Sequence, residues 1–579
     1  MKYRLFLVSL GLIIAFSIHV SAQKLATPYE KGNGNQSTTY EACIDWYQQL
    51  DRAHKTVRMD SVGLTDIGRP LHLVILDADA EFSPVQARKR GKNIVFIING
   101  IHPGEPEGID ASMRLARELV SDPAKKTWLK NTIVLIVPVF NVDGSLRRNS
   151  HSRANQNGPE AYGFRANSRN LDLNRDFIKL GSRNTQSLVG AMRYWNPDLL
   201  LDTHTTNGAD YQHVMTLIES QTDKMQPEVG NWMKHKFSPK LYEAMEEAGF
   251  PMCPYVNTER ELPDSGIIGF LETPRYSTGY AALFHTASYV LETHMLKAYN
   301  QRVAATYNLL SICLSEMQKT GPELQQARAN AAAQTAAAKI LPLNWKLNRL
   351  KTDSIFFRGY AAAYRNSDVH AENRLYYDRD QPWMRNIPFY NHYVGIDIMQ
   401  KPKAYFIPQA WHEVIDRLKI NHIPFTILAA DTLLELEFYL ITDYQTSRRP
   451  YEGHYLHYAT QTRTIKALHQ FRKGDIVVIT GQGHDRFVVE TLEPRAVDSY
   501  FNWGYFDGIL QQKEYFSAYV YEDTAAELLK NDPGLRQRFE SWKKEQEKQP
   551  SPGAQLDWIY RNSPNFEGTA QLYPVGMLR

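Results

Sequence analysis

One apolar run in this chain stops on a turn that can hold a metal. Asn93-Ile94-Val95-Phe96-Ile97-Ile98 reads as a buried strand, and His102-Pro103-Gly104-Glu105 follows it closely. An imidazole and a carboxylate separated by a tight Pro-Gly turn can both point at one cation, and both are ordinary zinc ligands. The motif is short, and a chain with 18 histidines holds chance copies of it, so its weight depends on what accompanies it.

Two further apolar runs end in the same way. Pro197-Asp198-Leu199-Leu200-Leu201-Asp202-Thr203-His204 closes on a histidine, and Ser288-Tyr289-Val290-Leu291-Glu292 closes on a carboxylate. In open α/β sheets functional groups gather beyond the carboxyl ends of strands, which is where His102, Glu105, His204 and Glu292 all fall. A lone His204 would read as a strand-end side chain bonded to a neighbouring loop; the repeated placement favours a shared site. A fourth run, Thr132 to Phe140, is followed by Asn141-Val142-Asp143-Gly144, and Arg165 to Asp176 (RANSRNLDLNRD) comes later.

In this order of motifs the chain resembles the zinc carboxypeptidases, the M14 metallopeptidases. H-x-x-E, N-x-D-G, an arginine, D-x-N-R, D-x-H and a late glutamate follow one another over residues 40–315, with Leu291 to Lys297 resembling the segment that carries the family's catalytic glutamate. The resemblance implies one zinc per chain held by His102, Glu105 and His204. Glu292 would be the general base that activates water and passes the proton to the leaving amine, and the chemistry of zinc and a neighbouring carboxylate suits that division of labour. Arg165 would stabilise the developing oxyanion. Asn174 and Arg175 would hold the substrate's terminal carboxylate, to which a guanidinium fork is matched. Asp172 would accept from His102 and fix its ring.

Some placements stay open at this level. Arg148 and Arg169 compete with Arg165, which is favoured by its spacing to Arg175. The family's mobile tyrosine corresponds to Tyr280 or Tyr276 in Pro274 to Tyr280, with Tyr280 taken first as a substrate-binding residue. Glu107 is read as a supporting carboxylate or a helix N-terminal charge. His213, His285 and His294 read as loop or packing residues. His454-x-x-His457 beside Glu452 sits among tyrosines and reads as a strand with mixed faces rather than a second metal site.

The N-terminus, Met1-Lys2-Tyr3-Arg4, an apolar stretch and Val20-Ser21-Ala22, has the layout of a secretory signal cleaved after Ala22. Its rival is an uncleaved anchor, since the stretch nearly reaches spanning length. The expectation is a secreted or periplasmic protein with no stable membrane insertion after cleavage. Cys43, Cys253 and Cys313 allow at most one disulfide, so the fold must rely on its core. A formal net charge of +3 without long basic runs gives no argument for nucleic acid.

At 579 residues the chain is expected to hold more than one domain. After a signal at 1–22, residues 23–325 should form the catalytic domain. This would be α/β, with a mixed, largely parallel sheet flanked by helices such as Ile109 to Val120 and Asn300 to Met317. An alanine-rich helical connector at 326–345 should act as a spacer that buries little. Residues 346–579 should form a smaller β-rich or α+β accessory domain. Its expected strands are Ala404–Ile407, Phe425–Leu428, Leu436–Ile441, Asp475–Thr480 and Arg486–Thr491, with a helix at Ala410–Leu418. Leu492 to Gly504 resembles a segment of longer bacterial members of the family, and Glu540 to Gly553 should be exposed.

The leading functional expectation is an exported zinc peptidase that releases C-terminal residues from peptides with a free carboxylate. A second reading is a zinc amidase or deacylase acting on peptidoglycan stem peptides or N-acyl amino acids. A third, a catalytically silent peptide- or glycan-binding protein, would call for loss of a ligand or the base, and all four residues are present.

Overall fold

The computed structural model describes residues 25–579, so the expected signal at 1–22 lies outside the described residues. Nine strands precede residue 295: β1 (Val57–Leu64), β2 (Pro70–Leu76), β3 (Asn93–Ile98), β4 (Thr132–Val137), β5 (Leu199–Thr206), β6 (Met215–Glu219), β7 (Met252–Pro254), β8 (Ile267–Ile268) and β9 (Ala287–His294). All but β8 form one sheet in the order β1-β2-β4-β3-β5-β9-β6-β7. Its centre, β4-β3-β5-β9, is parallel, while β1, β2 and β6 pair antiparallel with their neighbours towards that centre. The expected mixed, largely parallel α/β fold is present.

Every residue of β3 and β4 is buried, which explains their unbroken apolar runs: a parallel sheet covered on both faces has no wet side. One face, with Val95, Ile97, Val134, Ile136 and Leu201, packs on helices Tyr40–Ala53, Glu107–Ser121 and Tyr299–Ala337. The other face carries Ile94, Phe96, Ile133, Leu135 and Leu200 and meets helix Arg183–Trp195.

The connector differs from a spacer. Helix Tyr299–Ala337 runs unbroken through the expected boundary, with Pro322 inside it. Gly321 lies so close to β3 that a Cβ there would sit 2.1 Å from Asn93 Nδ2. Ala331 belongs to the core, and Ala332 abuts Gly483. The alanines serve close approach; their small size is why they read as a segment that buries little.

Beyond the helix, β10 (Ile340–Leu347) pairs with β13 (Tyr393–Gln400). β11 (Asp353–Asn366) and β12 (Asn373–Tyr390) form a long hairpin edged by β8. A six-stranded sheet follows, ordered β15-β18-β14-β19-β16-β17, from β14 (Ala404–Ile407), β15 (Thr426–Ile427), β16 (Thr432–Thr446), β17 (His457–Phe471), β18 (Ile476–Ile479) and β19 (Gly576–Leu578). The segment expected as a strand at Arg486–Thr491 is instead helix Asp485–Leu492. Asp485 accepts from the Gln482 amide at its start, Arg486 pairs with Glu490 one turn on, and all eight residues are buried. Tertiary burial outweighs the β-branched composition there. Helices Ala518–Asn531, Pro533–Glu545 and Pro552–Arg561 form a small core of their own before the chain returns to the sheet as β19.

The second half does not stand apart. Tyr405, Ile407, Leu418, Phe487, Tyr500 and Trp503 share one apolar cluster with Phe96, Leu135 and Leu200 of the eight-stranded sheet. Cys43, Cys253 and Cys313 are free and buried. Among the described residues no helix is long and apolar enough to cross a membrane.

Candidate active site

The site is built at the carboxyl ends of β3, β5 and β9. After β3, Gly100 turns the chain at φ +65°, and the Glu105 amide donates to the His102 carbonyl at 2.8 Å, closing the tight turn that the Pro-Gly pair suggested. His204 and Glu292 are register partners across the parallel β5–β9 pair. Paired residues of neighbouring strands face the same way, so the sheet itself sets the carboxylate beside the histidine.

His102 Nδ1, Glu105 Oε2 and His204 Nδ1 form a triangle. His102 lies 3.3 Å from Glu105, and His204 lies 3.2 Å from each of the others. Ligands of a tetrahedral zinc at about 2.0–2.1 Å stand roughly 3.3 Å from one another. The three atoms therefore fit that ion, and among the described residues this is the one group of His, Cys, Asp and Glu side chains close enough to hold a metal.

Each member is held from behind. His102 Nε2 lies 2.9 Å from Asp172 Oδ1, and His204 Nε2 faces Asp202 Oδ2 at 3.0 Å. Carboxylates at the far nitrogens favour the tautomer that leaves Nδ1 free for a cation. Glu105 accepts from the Thr205 amide at 2.9 Å and, on its other oxygen, from Arg153 Nη1 at 2.7 Å. Burial pushes the Glu105 carboxyl up, but Arg153 and His102 outweigh it and hold the group well below the usual carboxylate range. Asp172 is lowered in the same way, with His102 and Arg165 overcoming its burial.

Glu292 is different. Its carboxyl is pushed up to about 7, first by burial and then by the nearby Glu105 and Asp202, with His204 and Arg165 pulling the other way. A carboxyl that exchanges a proton near neutrality is suited to general acid–base work.

The rim carries cations. Arg165 Nε and Nη2 donate to Asp172 Oδ2 at 3.1 and 2.8 Å, and its Nη1 reaches Glu105 at 3.5 Å. Arg148 instead binds the carbonyls of Ser37 and Ala161, and Arg169 binds that of Gly181, so neither rival faces the site. Asn174 Oδ1 accepts from the Ser277 amide at 3.1 Å. Arg175 donates to the Asn174 carbonyl and lies over the Tyr276 ring, 4.3 Å from its centroid. These side chains line a cleft of about 470 Å³ together with His102, Glu105, His204, Glu292 and Tyr255.

Tyr280, expected to contact substrate, does not line the cleft. It is 1% exposed, packs on Phe177, Phe284 and Phe487, and donates to Asn421 Oδ1 at 2.6 Å. It lies on the short helix Ser277–Ala282, and one turn of helix carries it from the cleft into the core, while Tyr276 just before that helix keeps the cleft position. Glu107 begins helix Glu107–Ser121 and is paired with buried Arg302, as a structural charge. His213, His285 and His294 each bond a backbone carbonyl. His457 bridges Thr446 and Asp507, and His454 packs against Trp503.

Four participants carry no role in the sequence reading. Asp202 was visible in D-x-H as a pattern only. Arg153 sits in an irregular insert, and the absence of a side chain at Gly104 makes room for it: a Cβ there would lie 2.7 Å from Arg153 Cδ. Tyr255 follows β7 and has no motif. Glu452, at φ +51°, reaches in from the second half and accepts from the Asp172 amide at 2.8 Å. Nearby, Asp498 holds Arg275 through Nε and the backbone amide, and Arg275 lies over both Tyr451 and Trp503.

Residues 43–265 match a model of the zinc carboxypeptidase family. The chain is similar to carboxypeptidase 2 of Trichophyton rubrum, 19% identical over 82% of this chain and 85% of that protein. It is similar also to carboxypeptidase 2 of Trichophyton equinum, 21% identical over 76% and 78%. Among solved structures, a putative carboxypeptidase A from Shewanella denitrificans aligns at TM-score 0.37 and 19% identity over 50% of this chain and 69% of that one. A metallo-carboxypeptidase from Burkholderia cenocepacia aligns at TM-score 0.37 and 17% identity over 49% and 70%.

Proposed function

We propose that this chain, whose residues 43–265 match a model of the zinc carboxypeptidase family, is an exported peptidase that removes C-terminal residues from peptides with a free carboxylate. The observation that carries the reading is the register pairing of His204 with Glu292, which sets a proton-exchanging carboxylate beside a ligand triangle of zinc dimensions.

His102, Glu105 and His204 would hold one zinc, which supplies a Lewis acid that polarises the scissile carbonyl and makes nearby water more acidic. Glu292 takes the proton from the attacking water and delivers it to the departing amine nitrogen. Arg165, half exposed at the rim, offers N–H donors to the oxygen on which negative charge develops. Arg175 and the Asn174 side chain receive the terminal carboxylate, with the Tyr276 ring limiting how far the guanidinium can swing. Asp172 joins the two tasks, because it orients His102 and stands three residues before Arg175.

The test is kcat/KM for a free-acid peptide against its C-terminal amide. Exopeptidase action requires a large preference for the acid; equal rates would make the chain an endopeptidase or amidase. Export rests on the basic, apolar and small-residue layout of Met1 to Ala22. It is tested by the intact mass of the protein recovered from its native compartment, which should begin at or near Gln23.

A further inference from the structure

The amino ends of β5 and β9 lie at the opposite edge of the sheet from the active site and open on a second cavity of about 370 Å³. Helix Arg183–Trp195, the long helix Tyr299–Ala337 and the loop before helix Asp485–Leu492 enclose it, so it straddles the two halves of the chain. Arg88, Arg193 and Arg328 line it, with Asp198 as the only carboxylate among the lining residues.

Asp198 is already committed. Its two oxygens take Arg88 Nη1 at 2.5 Å and Arg328 Nη1 at 2.6 Å, and one also accepts from the Ile94 amide. Arg328 spends its remaining donors on the carbonyls of His285 and Phe284 and on the Asn196 side chain. Arg193 has no such partner. Its Nε donates to the Asn421 carbonyl at 3.3 Å, and its plane lies 3.5 Å from the centroid of the Phe284 ring. Among the described residues no carboxylate stands within ion-pair distance of it.

The two histidines of the cavity add no charge of their own. Burial pushes His285 down to about 4 and lowers His484, so both are neutral near pH 7. His484 Nε2 is buried with no hydrogen-bond partner. Three guanidiniums against one carboxylate leave a net charge of two positive units around a cavity with unused donors. A planar guanidinium whose Nη edge is unclaimed, stacked on an aromatic ring, is a ready fork for an oxyanion.

We propose that this cavity binds a phosphate-type dianion, with the Nη edge of Arg193 as the principal donor and His484 Nε2 as a second. The space exceeds that of bare phosphate and admits an organic substituent, so the ligand is either inorganic phosphate or a phosphomonoester. A bound anion would bridge residues of the catalytic half (Arg193) and of the second half (His484), and so would stabilise the folded chain by binding only to it.

The experiment is thermal unfolding of the full, zinc-loaded chain, titrated with inorganic phosphate or glycerol 2-phosphate against chloride at equal ionic strength. The expected result is a saturable rise in Tm with phosphate that Arg193→Gln abolishes while peptidase activity stays at the wild-type level. Phosphate acting at the active site instead would raise Tm equally in Arg193→Gln, and that result overturns the proposal, as does a rise no greater than with chloride. Calorimetric titration of His484→Ala gives a second reading that does not depend on the arginine variant folding well. It should bind phosphate several-fold more weakly, and unchanged affinity would also overturn the proposal. Tighter binding of the ester than of phosphate identifies an organic phosphate as the ligand, and equal binding identifies inorganic phosphate.

Discussion

The strands of the catalytic half and the irregular stretch Arg165–Asp176 hold their functional residues by different means. His204 and Glu292 stand on neighbouring parallel strands, fixed by ladder hydrogen bonds and a core on both sides. Arg165 to Asp176 carries Asp172, Asn174 and Arg175 with only the single turn Leu173–Arg175 as regular structure. Regular strands position side chains without outside help, whereas a loop needs its backbone groups satisfied by something else. Part of that help is local, since the Asn167 side chain accepts from the Arg169 and Leu171 amides and Asp143 from the Ser168 amide. The rest comes from the second half: Glu452 takes the Asp172 amide, and Arg417 and the Tyr505 hydroxyl donate to the Lys179 carbonyl just beyond. The second half is thus a cover for the sheet and a brace for the loop at Asp172, where the functional residues begin.

The largest effect should come from the strand-borne ligands. His204→Ala removes one corner of the triangle, and the expected outcome is loss of stoichiometric zinc and of activity together, read by metal analysis of purified protein. Retention of full zinc and turnover would break the ligand assignment. Next is Glu292→Gln, which preserves shape and cannot take a proton. Zinc content should stay at one per chain while kcat falls by about 100- to 10,000-fold, the usual range for a lost general base. Near-normal turnover on any confirmed substrate would sink the role.

This difference between strands and loop also decides what could be read from sequence. Buried parallel strands announce themselves as unbroken apolar runs, so β3, β4, β5 and β9 and the residues at their ends, His102, Glu105, His204 and Glu292, were legible. Asp172, Asn174 and Arg175 were legible only through the D-x-N-R pattern, since nothing in their periodicity marks them. Tyr280 was misplaced because a six-residue helix at Ser277–Ala282 rotates side chains by a step that composition does not reveal. The second half is hardest: β11 and β12 are long, half-exposed strands in which apolar residues follow no strict period, so no local pattern marks them. Glu452 reads with His454 and His457 as part of a tyrosine-rich strand with mixed faces, which hides its role. Its partner is a backbone amide 280 residues away, a relation that no local pattern encodes.

Arg175→Ala sharpens the contrast on the loop side. It should cost about 2–5 kcal/mol in kcat/KM on free-acid peptides, the range for truncating one partner of a desolvated, hydrogen-bonded charge pair. The same substitution should leave the slow hydrolysis of the peptide amide almost unchanged, so the acid-over-amide preference largely disappears. Equal losses on acid and amide would make Arg175 a structural residue of the loop.

The smallest effect tests the brace itself. Glu452→Ala strips the acceptor from the Asp172 amide, and leaving a buried donor unpaired costs about 1–3 kcal/mol. Because Asp172 orients His102 and begins the turn that bears Asn174 and Arg175, that cost should appear as weaker zinc binding and a higher KM for free-acid peptides. The expected fall in kcat/KM is about 5- to 160-fold, the kinetic equivalent of that range. Glu452→Gln keeps an oxygen that can accept the same hydrogen bond and should restore most of both losses. If the second half served only to cover the sheet, Glu452→Ala would leave zinc affinity and KM unchanged. Rescue by glutamine separates the brace from a general loss of stability, because a merely destabilised variant would unfold at lower temperature without any change in zinc affinity or KM below its transition.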